Sequence, residues 1–250
     1  MKLALWQGPS PAGDIDAAFA TLSPAINAAA ALGADMLVLP ELFLPGYNLP
    51  TMVAQPQGGV WHQRLAALCM TAGCGLTIGY AESDQTRIYN AAITFDATGR
   101  QIAHYHKIQL YGPREAAIFT PGAAYTTFTL NGVKAALLIC YDIEFEQHVS
   151  TLAGQGVSLI LVPTANMLPF THVARVTVPA MAANHAVTIV YANFCGQEGD
   201  LVYSGGSLIV GADGDILVQA GQGAALLIAD IPTPDPARLS TQARDFRAVI

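Results

Sequence analysis

Three residues of types that acyl-transfer chemistry uses each stand at the end of an apolar run. Glu41 follows Met-Leu-Val-Leu-Pro, Lys107 closes the segment Gln101–Lys107, and Cys140 ends Ala-Ala-Leu-Leu-Ile-Cys. Such a position predicts the carboxyl end of a buried strand, the edge at which open α/β sheets place their ligands. A thiol becomes a nucleophile on losing its proton, which a nearby carboxylate can accept. The oxyanion that then forms needs an ammonium or backbone N–H groups. An acid–base group must finally protonate the departing amine and activate water. Taken singly, each residue has a plainer reading: a loop carboxylate, a lysine snorkelling to water, an inert packed cysteine. Yet only 12% of the residues are charged and only three are lysines. In so uncharged a chain, ionisable groups beside buried strands are informative, because burying a charge is expensive.

The elements that would position them alternate between strand and helix. Lys2–Gly8 reads as a buried strand and Asp14–Leu32 as an alanine-rich helix, capped by Asp14 and ended by Gly33. Met36–Leu39 is a short strand stopped by Pro40, and Glu41–Gly59 is a looser, proline-bearing segment. A helix over Trp61–Ala72 and a strand over Cys74–Tyr80 follow. Three hairpins are marked by Asp96-Ala97-Thr98-Gly99, Asn131-Gly132 and Asp213-Gly214. Between the last two lie helix Glu146–Gly154, strand Val157–Val162, helix Thr171–His185 and strand Val187–Ala192. Gly33-Ala34-Asp35-Met36-Leu37-Val38-Leu39-Pro40 echoes Gly156-Val157-Ser158-Leu159-Ile160-Leu161-Val162-Pro163 at a constant offset of 123 residues. The echo predicts two αβ halves related by a pseudo-twofold. Apolar strands between helices are buried on both faces, while hairpins add antiparallel pairs. Two mixed sheets packed face to face, with helices outside, satisfy both signals.

Leu-Pro-Glu-Leu-Phe (39–43), Tyr-His-Lys-Ile (105–108) and Cys-Tyr-Asp-Ile-Glu-Phe (140–145), with their key residues 66 and 33 positions apart, resemble the nitrilase superfamily of carbon–nitrogen hydrolases. Val-Pro-Thr-Ala-Asn (162–166), Tyr-Ala-Asn-Phe-Cys-Gly (191–196) and Tyr-Ser-Gly-Gly-Ser (203–207) are also similar to that family. The resemblance implies a four-layer α-β-β-α sandwich with two mixed β-sheets. Residues 1–250 are then one carbon–nitrogen hydrolase domain, with 232–250 a C-terminal tail packed at a subunit interface. It further implies Glu41 as general base, Lys107 as oxyanion stabiliser and Cys140 as nucleophile. Glu115 would position the lysine or the substrate, though pairing with Arg114 is an alternative. The backbone N–H of Tyr141 would share the oxyanion, with Tyr47 and Asn166 as substrate-binding candidates; Tyr47 and Trp61 fit core or rim packing equally well. Asp142 and Glu144 would pin the nucleophile turn. Two departures touch the pocket rim and subunit contact rather than the triad. Glu146 stands where the family often has proline, and Ala180-Met181-Ala182-Ala183-Asn184 where it often shows Arg-Ala-x-Glu-Asn.

The expected activity is amide hydrolysis through a thioester. Nitrile hydrolysis ranks below it, because family nitrilases tend to be longer, and carbamoyl-amine hydrolysis third, for want of an arginine pair. A non-catalytic binding module on the same fold is the alternative from another class. With 11 basic against 18 acidic residues, the chain offers no basic field for nucleic acid. Mean hydropathy is high at +0.40, but no apolar run reaches the roughly 18 residues of a membrane span. The first residues are too short an apolar run for a signal peptide, and four cysteines do not make a disulfide scaffold. The cytoplasm is therefore the expected compartment, with a homodimer or higher homo-oligomer as the assembly. No cofactor is expected. His104 and His106 share a strand face but lack a third partner at a ligand spacing, so no metal is expected either.

Overall fold

Strand β1 (Lys2–Gln7) sorts its side chains by parity: Leu3 and Leu5 face one apolar cluster and Ala4 another. Strand β2 (Met36–Val38) does the same, with Met36 and Val38 on one side and Leu37 on the other. Both are therefore buried on both faces, as a strand between two layers must be. The computed structural model describes residues 1–48 and 54–247, so Leu49–Val53 of the looser segment and the last three residues of the tail lie outside the described residues.

Between these strands runs helix α1 (Ile15–Ala31), whose N-terminus is capped by Asp14 accepting from the Ala17 N–H at 2.9 Å. Such a cap is worth about 1 kcal/mol. Ala18, Phe19, Leu22, Ala25, Ile26 and Ala29 form its single buried stripe. Gly33, at φ 78°, turns the chain out of the helix. Helix α2 (Val60–Ala72) buries Trp61, His62, Leu65 and Cys69 in the same cluster.

The remaining strands complete two six-stranded sheets. The first has the order β14-β1-β2-β3-β4-β5, with β3 Gly75–Asp84, β4 Arg87–Phe95, β5 Gln101–His106 and β14 Ala225–Asp230. The second runs β13-β12-β9-β8-β7-β6, with β6 Thr127–Leu130, β7 Val133–Leu137, β8 Leu159–Pro163, β9 Thr188–Ala192, β12 Leu208–Val210 and β13 Ile216–Gln219. Leu3, Leu5, Val38, Ala92 and Tyr105 of the first sheet share a core with Leu137, Leu161 and Val190 of the second. Helices α1 and α2 cover the outer face of the first sheet. Helices α4 (Glu146–Gly154) and α5 (Val178–His185) bury Val149, Leu152, Val178 and Ala182 against the second. The expected α-β-β-α sandwich is what forms. The echo is borne out in the pairing. β1-β2-β3 and β7-β8-β9 are both parallel, each flanked by antiparallel neighbours, and the echoed runs are β2 and β8.

Three elements differ from the sequence expectation. A hairpin of β10 (Cys195–Glu198) and β11 (Leu201–Ser204) forms where none was expected, its polar residues giving no alternating signal. Helix α3 (Gly112–Ile118) folds in a stretch without apolar periodicity, started by Pro113 in its first turn. The helix expected over Thr171–His185 is interrupted, because Val173–Thr177 winds as a π-helical turn before α5 begins. No helix among the described residues is long and apolar enough to cross a membrane.

Candidate active site

The carboxyl ends of β2, β5 and β7 meet where the two sheets face each other, and there Glu41, Lys107 and Cys140 converge. Glu41 sits in a tight turn after β2, with Leu42 at φ 49°. Its N–H donates to Thr164 O beyond β8 at 3.2 Å, tying the two sheets together. Gly79 of β3 lies directly beneath. Its N–H donates to Pro40 O at 3.1 Å, and its carbonyl accepts from Leu44 N–H at 3.2 Å. A Cβ at Gly79 would stand 2.6 Å from Glu41 Cα and 2.5 Å from Leu42 N, both backbone atoms that cannot swing aside. Gly79→Ala should therefore displace the Glu41 turn. Expected are a stability loss of about 1–3 kcal/mol, as for other overpacked sites, and a fall in kcat, read by thermal melting and steady-state kinetics.

Lys107 is only 1% exposed, and Glu41 and Glu115 are buried with it. Its ammonium donates to Glu41 Oε1 at 2.6 Å and to Glu115 Oε1 at 2.9 Å. Asn90 of β4 donates through Nδ2 to the same Glu41 oxygen at 2.7 Å, while Glu41 Oε2 is buried with no hydrogen-bond partner among the described residues. One carboxylate oxygen is thus fixed by two donors and the other is left open to receive a proton. Glu115 is held by α3: its Oε2 accepts the Tyr111 N–H at 2.8 Å. Glu115 therefore pairs with Lys107 rather than with Arg114, whose guanidinium reaches Asn48 and Asp200.

Cys140 has φ 45°, a left-handed conformation that costs a non-glycine residue on the order of 1–3 kcal/mol and turns its side chain out of the strand direction. Asp142, fully buried, holds this turn. It accepts from Ile139 N–H at 3.0 Å, Tyr105 O–H at 2.8 Å and Gln109 N–H at 2.7 Å. Tyr105 and Gln109 flank Lys107 two residues on either side, so one carboxylate sets the nucleophile turn against the lysine segment. Asp142 thus takes the pinning position expected of it. Glu144 instead lines the cavity.

Burial and charge divide the protonation states. Burial pulls the Lys107 ammonium down, but the charge and hydrogen bond of Glu41 outweigh it and hold the group above its ordinary value. Burial, then the Glu41 charge, push the Glu115 carboxyl up to about 9. Burial likewise raises the Cys140 thiol well above its usual value, with Glu41 adding and Lys107 opposing. At neutral pH the cluster therefore holds a neutral thiol, one ammonium, and a proton on Glu115. The environments separate the acid from the base.

A cavity of about 230 Å³ opens onto Cys140 and Glu115. Tyr47, Tyr141 and Asn166 line it, as do Tyr111, Met167 and Phe170. The Asn166 amide is committed to structure, since Nδ2 donates to Phe170 O at 2.9 Å. Trp61 packs in the core instead, with Leu65 and Phe95. The sequence reading missed Asn90 and the cavity residues Tyr111, Glu144, Phe170 and His172 as possible substrate contacts. Only Asn90, a polar residue opening an apolar strand, carried a signal.

A sequence profile of the carbon–nitrogen hydrolase family matches residues 2–238. A hydrolase encoded in the pqqF 5′ region of Pseudomonas protegens is 40% identical over 234 residues, covering 91% of this chain and 81% of that protein. An (R)-stereoselective amidase of Pseudomonas sp. is 34% identical, covering 84% of this chain and 77% of that one. Among solved structures, the NitN amidase of Nesterenkonia sp. AN1 superposes with a TM-score of 0.91 at 34% identity, over 99% of this chain and 96% of that one. Forms of that amidase have been solved with acrylamide joined to the active-site cysteine by Michael addition and, with the cysteine replaced by alanine, in complex with butyramide.

Proposed function

The chain belongs to the carbon–nitrogen hydrolase family, and from that premise we propose that it is a cysteine-dependent amidase for small carboxamides, with Glu41, Lys107 and Cys140 as its catalytic residues. The observation that carries the reading is the buried Lys107 ammonium clamped between Glu41 and Glu115, with Cys140 lining the adjoining cavity. The open Glu41 Oε2 takes the thiol proton as Sγ attacks the amide carbon. Lys107 Nζ and the Tyr141 N–H receive the oxyanion. As the tetrahedral intermediate collapses, the C–N bond breaks and Glu41 returns the proton to the departing ammonia or amine. A water, deprotonated by Glu41, then cleaves the thioester to release the carboxylic acid and restore the thiol.

The cavity narrows the substrate. Its 230 Å³ lies below the ~300 Å³ at which drug-sized sites begin. Tyr47, Tyr111, Met167 and Phe170 suit a short apolar acyl group. Glu115 and Glu144 on the wall, with no arginine among the described lining residues, oppose the carboxylate of an N-carbamoyl amino acid. The amide ligands of the Nesterenkonia amidase favour amides over nitriles for this chain as well. Ammonia release from a panel of small carboxamides, nitriles and N-carbamoyl amino acids tests this, and amides should be the turned-over class. Release from nitriles or carbamoyl compounds alone would overturn it.

Glu115 gives the pH profile its alkaline side. Below about 9 its proton keeps the cluster to one carboxylate and one ammonium. Above that, a second negative charge beside Lys107 opposes both the oxyanion and thiol deprotonation. kcat should fall with an apparent pKa near 9, and Glu115→Gln, neutral at every pH, should lose that limb. A limb unchanged in the variant would assign it elsewhere. Linkage has the same sign. With its folded pKa raised, this carboxyl contributes fully to stability below about 4.5, and the contribution is lost as pH rises towards 9.

The same reading includes a homodimer or larger assembly in the cytoplasm, with residues 232–250 across the subunit contact. The exposure of the described tail, with Phe246 77% accessible, supports a covered position. Four free cysteines suit a reducing compartment.

A further inference from the structure

The outer face of the first sheet carries a second cluster that the hydrolytic site does not use. Tyr80 of β3, Ala91 of β4 and His106 of β5 lie in one cross-strand row, and Glu82 and His104 flank that row on the same face. Ala91 is the reason they meet. With only a methyl group on the middle strand, side chains from β3 and β5 reach each other over it. His106 Nε2 lies 3.3 Å from Glu82 Oε1, His104 Nε2 touches Glu82 Oε2, and one ligand atom from each of the three residues falls within 4.8 Å of the others.

From this geometry we propose that Glu82, His104 and His106 form a binding site for a divalent transition-metal ion, with zinc as the first candidate. Two ligand atoms each about 2.1 Å from a tetrahedral zinc ion stand about 3.4 Å apart, close to the His106–Glu82 spacing. Two imidazoles and one carboxylate are a donor set that suits zinc and leaves further positions for water. His106 Nε2 is buried yet makes no hydrogen bond among the described residues, since its approach to Glu82 is poorly aligned for one. An ion between them would satisfy both.

The surroundings are those of a metal site rather than of a salt bridge alone. Tyr80 O–H donates to Glu82 and stands 3.2 Å from His104 Nε2, the kind of outer partner that orients metal ligands. The Tyr89 ring stacks on His106 with centroids 3.9 Å apart and planes 4° from parallel, fixing the imidazole. His62 is close by against Tyr80 but is not a ligand. Its Nδ1 accepts the Gly58 N–H at 2.5 Å, which leaves the proton on Nε2. The two histidine side chains are 19% and 26% exposed, and Glu82 6%, so an ion enters from solvent onto a buried carboxylate. Bound there, it staples β3 to β5 across β4 and anchors the residue immediately before Lys107. The sequence left His104 and His106 without a third ligand, because Glu82 joins them only through sheet pairing.

The test uses full-length Cys140→Ala protein, which removes the active-site thiol as a competitor for the ion. Zinc titration should show one tight equivalent and a melting temperature that rises with zinc concentration. Cobalt should give the visible absorption of a nitrogen- and oxygen-ligated site without a thiolate charge-transfer band. Glu82→Gln should weaken zinc binding by more than the roughly 100-fold that loss of an outer partner can cause. His106→Gln, at the most exposed ligand, gives a second reading if Glu82→Gln fails to fold. No binding by the parent protein, or affinity unchanged in a folded variant, overturns the site. A thiolate band would do the same, by locating the ion at a remaining cysteine.

Discussion

Cys140→Ala is expected to fold normally and to lose carboxamide hydrolysis by about 10⁴-fold or more, the scale on which removal of a covalent nucleophile acts. No other group replaces the thiol. Cys69 and Cys74 are fully buried away from the cavity, with thiols that burial pushes up to about 12 and about 11. Cys195 is on the β10–β11 hairpin. Folding should be spared, because the turn is held by Asp142 through three donors that alanine at 140 leaves in place. Substrate should still bind, since Tyr47, Tyr111 and Phe170 shape the cavity independently of the thiol. Ammonia release, intact protein mass and a thermal melt decide it. Turnover within 10-fold of the parent would remove Cys140 from the mechanism, and a non-catalytic binding role would be favoured if neither protein released ammonia.

Why the three residues were legible, and their supports were not, follows from what sequence patterns encode. Glu41, Lys107 and Cys140 each end an apolar run, and strand ends are places where one-dimensional hydrophobicity changes abruptly. The echo of Gly33–Pro40 in Gly156–Pro163 was legible for the same reason, and the fold makes the two runs equivalent strands in sheets of matching order. Asn90 and Glu82 were hidden because their partners are brought to them by the β3–β4 and β4–β5 pairings, whose register a single sequence states only weakly. Hairpin β10–β11 was hidden because Gly196, Gln197 and Glu198 carry no strand pattern. Its position is fixed by tertiary bonds, among them Cys195 N–H to Gly8 O at 2.9 Å and Asn48 N–H to Glu198 Oε1 at 2.9 Å. Helix α3 was hidden because seven residues with one buried side chain, Glu115, have no apolar stripe. That helix exists to aim a carboxylate, and a buried carboxylate is the opposite of a hydrophobic signal.

Lys107→Met should be as damaging as loss of the nucleophile, for two reasons that can be separated. Loss of one oxyanion donor alone costs on the order of 10²–10³ in kcat. The second loss comes from Glu41. Without the ammonium, Glu41 keeps only the Asn90 donor at 2.7 Å in a fully buried site. A carboxylate so placed takes up a proton and can no longer accept one from the thiol. Together these should lower kcat by about 10⁴-fold or more, since general-base catalysis contributes a further ~10²–10⁴-fold. Stability should fall as well, by about 3–5 kcal/mol, the usual cost of removing one partner from a buried ion pair. Lys107→Arg distinguishes the effects. It restores a cation beside Glu41 with a displaced donor, so part of the stability lost in Lys107→Met should return while activity should not. Recovery of turnover together with stability would mean that Lys107 acts only by balancing charge, and that the oxyanion is held by the Tyr141 N–H without it.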